Sequence, residues 1–262
     1  MFNIIKSEIK RLLKSKGFWT SLVIFILIYV ISIFMQTTAQ ETDMFYSTNS
    51  VPEPGFYISV DVVVKSLNSF ATMFGHSFGT LVLGIYLAIF VCSEYSSGYI
   101  KNIATLSNGR LAVIISKIVV SAFIDLIIIL LCYGIGFILG SILIDGFVVE
   151  SIQIILKSSA VMFIISLALF SLIIAITAIF RNRIAGIILV LLISSGMLQP
   201  FFTSLFDLIN LSFLSEYTLS SLFLNSALVE ENNLIKVILT SFFYIIVYNV
   251  ISICIMQKRD IQ

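Results

Sequence analysis

The residues able to do chemistry in this 262-residue chain are few and scattered. Asp125, in "VSAFIDLIII", sits inside a long apolar run. An ionised carboxylate there is expensive, so the residue must face a bundle interior or a cavity, or hold its proton. The reading as part of a substrate path stands beside a plainer one, a structural hydrogen bond to a neighbouring helix. His76, in "MFGHSFGT", is the only histidine and so cannot build a two-histidine metal site. It is expected to make an interhelical hydrogen bond. Three cysteines, Cys92, Cys132 and Cys254, form no CxxC pair and are odd in number, which favours neither a disulfide framework nor a zinc site. No GxxxxGK[ST] stretch occurs, so the chain has no P-loop with which to cradle ATP. No catalytic group and no metal site are assigned.

The elements that hold these residues follow from composition. The chain is 59% hydrophobic and 11% charged, with a mean hydropathy of +1.11, whereas soluble domains carry about 25% charged residues. A hydrocarbon core about 30 Å thick requires roughly 20 apolar residues in helix, because unpaired backbone groups are intolerable in lipid. The apolar runs are continuous and lack the alternation of a barrel. The expected fold is an all-α integral membrane protein in one domain, with no separate soluble domain and no internal repeat.

Six spans are read, at about 18–35, 70–92, 118–144, 158–180, 184–206 and 234–256, the third helix starting earlier than its span. The first is kept as a span because its apolar run is too long for a signal peptide and lacks a small-residue cleavage site. With both termini cytosolic, the inner side holds Lys6, Lys10, Arg11, Lys14, Lys16, Lys101, Arg110, Lys117, Arg181, Arg183, Lys258 and Arg259. Lys65, Lys157 and Lys236 remain outside. That imbalance sets the orientation. Outside, "NSVPEPGFY" reads as a loop and "INLSFLSEYTLSSLFLNSALVEENN" as short interfacial helices. External acids (Glu41, Asp43, Glu53, Asp61, Asp145, Glu150, Asp207, Glu216, Glu230 and Glu231) outnumber the bases, which would attract cationic peptides or simply reflects the exclusion of lysines.

The first 16 residues form an amphipathic pattern: Phe2, Ile5, Ile9, Leu12 and Leu13 share a face, opposed by Glu8, Lys10, Arg11 and Lys14. Such a helix lies along the inner leaflet, either as a plain positive anchor or as a functional element, with Gly17 turning the chain into the first span. Between the second and third spans, "CSEYSSGYIKNIATLSNGRLAVIISK" leaves the membrane. Tyr99 to Ser107 can make two helical turns with Ile100, Ile103, Ala104 and Ser107 on one side. An apolar stripe on a small exposed element invites a partner groove; a solvated loop is the alternative.

This segment resembles the one after the second span of type-2 ABC exporter permeases, in which an acidic residue, a Gly-Thr-Ile-Lys-like core, a following Arg and a Ser-Lys pair recur. The matching positions are Glu94, Gly98, Ile100, Lys101, Arg110, Ser116 and Lys117, with Tyr99 where Thr is commoner. The order of elements along the chain is similar too: an N-terminal elbow helix, six spans, both ends inside, and an apolar external segment before the last span. Within that family the chain looks most like the small permeases of bacitracin resistance and lantibiotic protection.

The resemblance implies that 93–110 is a coupling segment gripped by a separate cytosolic ABC ATPase, present in two copies, with Glu94, Gly98, Tyr99, Ile100, Lys101, Ile103, Ala104 and Arg110 at the contact. ATP and Mg would be used by that partner, with no cofactor bound directly. A second permease copy or a related permease, membrane lipid and a peptide or lipid-like cargo complete the implied partners, with no nucleic acid. The implied setting is a bacterial plasma membrane, and the implied cargo an amphipathic antimicrobial or toxin-like peptide.

Asp125 and Pro200 are the candidates for a substrate path, Pro200 through a kink near the outer end of the fifth span. Gly136 and Gly140 read as GxxxG packing, and Arg181 with Arg183 as an orientation anchor in a tight turn. An ion- or proton-coupled secondary transporter is the alternative, with Asp125 as its support. An intramembrane protease is disfavoured, because "EENNLI" at Glu230 has Ile235 where an EExxxR pattern needs arginine.

Overall fold

The computed structural model describes residues 2–45, 65–96, 109–144, 146–224 and 234–258. The helices are α1 (Phe2–Lys14), α2 (Lys16–Phe45), α3 (Leu67–Ser69), a π-helical segment Phe70–His76, α4 (Ser77–Ser96) and α5 (Gly109–Leu143). They continue with α6 (Ile152–Phe180), α7 (Arg183–Ser194), α8 (Leu198–Leu208), a 3₁₀ turn Ser212–Tyr217, α9 (Leu219–Leu224) and α10 (Leu234–Lys258). Among the described residues five helical stretches are long and apolar enough to cross a membrane, and a sixth is counted if α7 and α8, bent by 76° at a short break, are taken together as one span. The fold is the expected all-helical one.

The fifth span departs from the expectation of one helix kinked by Pro200. The chain turns earlier, at Gly196, whose φ of +74° is open to glycine at little steric cost. The amides of Ser195 and Gly196 donate to Leu191 and Ile193 at 3.0 and 3.1 Å, closing the last turn of α7. Pro200 then falls in the first turn of α8, where its missing N–H costs no hydrogen bond, and it is exposed.

The junction of α1 and α2 also differs from expectation. The helix breaks at Ser15, whose amide donates to Leu12 at 3.0 Å, while the Trp19 indole caps the Leu13 carbonyl at 2.8 Å. Gly17 instead makes room for a neighbour, since a Cβ there would lie 3.2 Å from the Tyr86 ring.

The centre is built by aromatic rings set against small residues, which is how helices associate where lipid removes the hydrophobic drive. Phe25 and Tyr29 of α2 are buried and stacked at 6.1 Å between centroids. They occupy space left by Gly75, Gly79 and Gly136, where an added Cβ would meet Tyr29 or Phe25 at 2.7–3.2 Å. The Tyr29 hydroxyl donates to the Cys132 carbonyl at 3.0 Å, fixing α2 on α5. Gly136 and Gly140 therefore serve as seats for aromatic side chains, Tyr29 and Phe147, and not as the backbone-to-backbone crossing expected of GxxxG.

Both ends of the described chain meet the first turns of α5. α1 packs on α5, and Arg110 donates to the carbonyls of Met256 and Gln257 at 3.3 and 2.6 Å, capping the last turn of α10. The N-terminal helix and the end of α10 thus share one end of the bundle. At the opposite end of the bundle, Ser66 and Val148 join the start of the second span to the α5–α6 connection through a short parallel bridge, the Leu67 amide donating to Val148 and the Val148 amide to Lys65. The short helices expected between the fifth and sixth spans are present as the 3₁₀ turn and α9, and α9 buries Leu222 and Phe223 in the bundle.

Candidate functional site

At the face carrying α1, four charged side chains from three elements converge. Lys117 of α5 is buried, and its Nζ donates to Glu8 Oε2 of α1 at 2.7 Å and to Glu94 Oε1 of α4. Arg11 of α1 pairs with Glu8 at 3.1 Å and with Glu94. Phe90 forms the floor, with the Arg11 guanidinium 4.3 Å and the Lys117 ammonium 5.0 Å from its ring centroid. Among the described residues two carboxylates and two cations meet here, so each buried charge has a direct partner against its desolvation cost.

Local sequence explains the convergence. Ile4, Glu8 and Leu12 are spaced by four, so they form one stripe along α1, and that stripe faces the bundle. Glu8 is therefore buried, correcting its assignment to the solvent-facing side. The apolar face divides instead: Leu12 packs inward, while Phe2 and Leu13 remain exposed at 78% and 40%. Glu94 lies in the last turn of α4, and Lys117 about two turns into α5. The cluster thus ties together the two helices that flank residues 97–108 and fastens both to α1.

Of the expected coupling residues, Gly98, Tyr99, Ile100, Lys101, Ile103 and Ala104 lie outside the described residues. Glu94 is buried beneath α1, and Arg110 is engaged with the end of α10. Asp125 lies eight residues beyond Lys117, roughly 12 Å farther along α5. It is buried and accepts a hydrogen bond from Ser166 of α6 at 2.5 Å, the structural reading of that residue. Pro200 is exposed on α8, whereas Asp125 is buried against α6.

His76 does not make the expected hydrogen bond. It is fully buried in the π-helical turn with its ring against Phe223 of α9, centroids 5.6 Å apart, and among the described residues neither ring nitrogen has a hydrogen-bond partner. Its backbone carbonyl accepts from Thr80 at 2.5 Å. Among the described residues no group of three His, Cys, Asp or Glu converges as a metal site requires.

A family model described as ABC-2 family transporter protein matches residues 4–197, well over half of the chain. The chain belongs to the ABC-2 transporter family. No curated protein matches it. The match begins in α1 and ends at the break after α7, so it covers all four members of the charged cluster. As an ABC-2 protein the chain is a multi-pass membrane subunit of an ABC transporter, a permease. Sequence reading singled out Glu94 and Lys117 of this permease but not their pairing, and it missed Glu8. The available signal for Glu8 was its place midway between Ile4 and Leu12, which the averaged amphipathic pattern hides.

Proposed function

We propose that this permease is the membrane-spanning half of an ATP-driven exporter, and that residues 99–107 are the handle gripped by a separate ABC ATPase. The observation that supports this most is the charged cluster of Glu8, Arg11, Glu94 and Lys117. It roots α4 and α5, the helices on either side of the handle, to each other and to α1. A push on the handle then moves three elements as one body, as conversion of ATPase closure into span movement requires. The elbow face is the cytosolic one in this reading, in keeping with the lysines and arginines gathered there.

The assembly would contain two ATPase subunits and two permeases, either two copies of this chain or this chain with a relative. The cargo class is an amphipathic peptide, antimicrobial or toxin-like, removed for self-protection or resistance, or secreted. The acidic external surface, including exposed Glu216, would concentrate a cationic peptide.

The test is co-purification of the ATPase with Ile100→Asp/Ile103→Asp, which places charge in an apolar contact. Membrane insertion is expected to persist and ATPase association to be lost. Normal co-purification of the double variant would overturn the reading.

A further inference from the structure

The crossing of α4 and α7 is tight and then opens. A Cβ on Gly84 would lie 3.1 Å from Val190, and one on Gly186 2.9 Å from the Ala88 Cβ, so the two antiparallel helices meet closely along this stretch. One turn farther toward the elbow face they diverge, and the wedge between them is a cavity of about 400 Å³ lined by Ile89, Cys92, Ser93, Arg181, Asn182 and Arg183.

Its lining is mostly polar. It carries two guanidinium groups from the α6–α7 turn. Arg181 holds the left-handed conformation at φ 50°, a costly state for a residue other than glycine, and its guanidinium lies 5.9 Å from the Tyr95 ring. Asn182 caps α7, its side chain accepting from the Ile184 amide at 2.9 Å, which fixes the turn. Arg183 makes no ion pair among the described residues, and no carboxylate among them lines the cavity. Ile89 of the lining is 40% exposed, and Phe180 and Ile184, the chain neighbours of the turn that carries the arginines, are 61% and 57% exposed.

We propose that this groove binds an anionic phospholipid, the two arginines holding its phosphate headgroup and the exposed apolar side chains receiving its acyl chains. Paired cations presented on a fixed turn match a phosphate better than a zwitterionic surface, and basic pockets between spans are a recurrent setting for such headgroups. A bound lipid would brace α4 against α7 on the side of α4 away from the charged cluster. The proposal takes from the functional reading only the leaflet, the inner one; binding to the isolated chain is independent of any ATPase.

The experiment is native mass spectrometry of the purified full chain, stripped of lipid and titrated with phosphatidylglycerol or phosphatidylcholine. The wild type should retain one phosphatidylglycerol with a preference of about tenfold or more over phosphatidylcholine. Arg181→Gln/Arg183→Gln should abolish the preference, while Lys65→Gln/Lys157→Gln, with the same charge change at the opposite face, should keep it. An elution profile matching the wild type establishes that the double variant is folded. Equal retention of both lipids by the wild type, or an unchanged preference in the arginine variant, overturns the proposal. Displacement of phosphatidylglycerol by millimolar inorganic phosphate overturns it too, by making the groove a free-anion site. The arginine variant should still co-purify with the ATPase, which separates this outcome from failure of the coupling reading.

Discussion

Lys117 Nζ lies 2.7 Å from Glu8 Oε2, joining two residues 109 positions apart in the chain. The contact fastens a surface helix to the root of a span, and Glu94 completes it from a third element. Breaking it is expected to matter more than breaking an exposed ion pair, because it leaves two buried carboxylates close together with one cation fewer between them.

Lys117→Met should destabilise the purified permease by about 3–5 kcal/mol, the range for removing one partner of a buried pair. Thermal unfolding in detergent measures the loss. Glu8→Leu combined with Lys117→Met should cost less than the sum of the single changes, since each removes the other's stranded charge. Strict additivity would show that the two groups do not interact.

Tyr29→Phe should cost about 1 kcal/mol by removing the hydrogen bond to the Cys132 carbonyl while leaving the ring packed. Gly75→Ala should cost more, about 1–3 kcal/mol, because the new Cβ would lie 2.7 Å from Cys132 Sγ in the packed centre. The order of the two melting temperatures is the check, and the reverse order would argue against tight packing at Gly75.

Asp125→Asn keeps an oxygen able to accept from Ser166, so its fold should be unchanged and ATP-driven transport retained. Transport reconstituted in vesicles, with and without a proton gradient, decides the matter. Loss of activity in Asp125→Asn together with gradient-driven transport by the wild type would favour the secondary transporter instead.

Gly196→Ala should cost about 1 kcal/mol or more, because alanine is strained at a φ of +74°, whereas Pro200→Ala should change stability by no more than about 0.5 kcal/mol. Spin labels at the exposed positions Ile188 and Leu205 should report the same distance in Pro200→Ala as in the wild type. A straightened pair of helices in that variant would return the bend to the proline.

What the sequence made legible and what it hid divide by range. Spans, the elbow helix and the short helices before α10 follow from local hydropathy, which operates over one element at a time. A helical wheel puts Glu8 on the wrong side because it knows two faces, whereas α1 has three surroundings: lipid, solvent and bundle. The bend went to Pro200 because proline is the conspicuous breaker; the positive φ of Gly196 has no mark in the sequence beyond the glycine itself. For His76 the usual rule for buried polar groups predicts a hydrogen bond, whereas the ring packs on Phe223 across the bundle and its nitrogens find no partner among the described residues. Lys117 stood in a recognisable segment, yet its partners come from residues 23 and 109 positions away, a relation no periodicity carries.

The charged cluster has a further consequence for how solution conditions reach this permease. Mobile ions weaken attractions only where they can enter between the charges, and Glu8, Glu94 and Lys117 are sealed from water. Brine that dissolves a solvent-facing pair such as Lys236 and Glu216 reaches Arg11, which is 33% exposed, but not the contact of Lys117 with Glu8. Peeling that helix away requires water to follow it into the gap, and so takes mechanical work rather than dilution or salt.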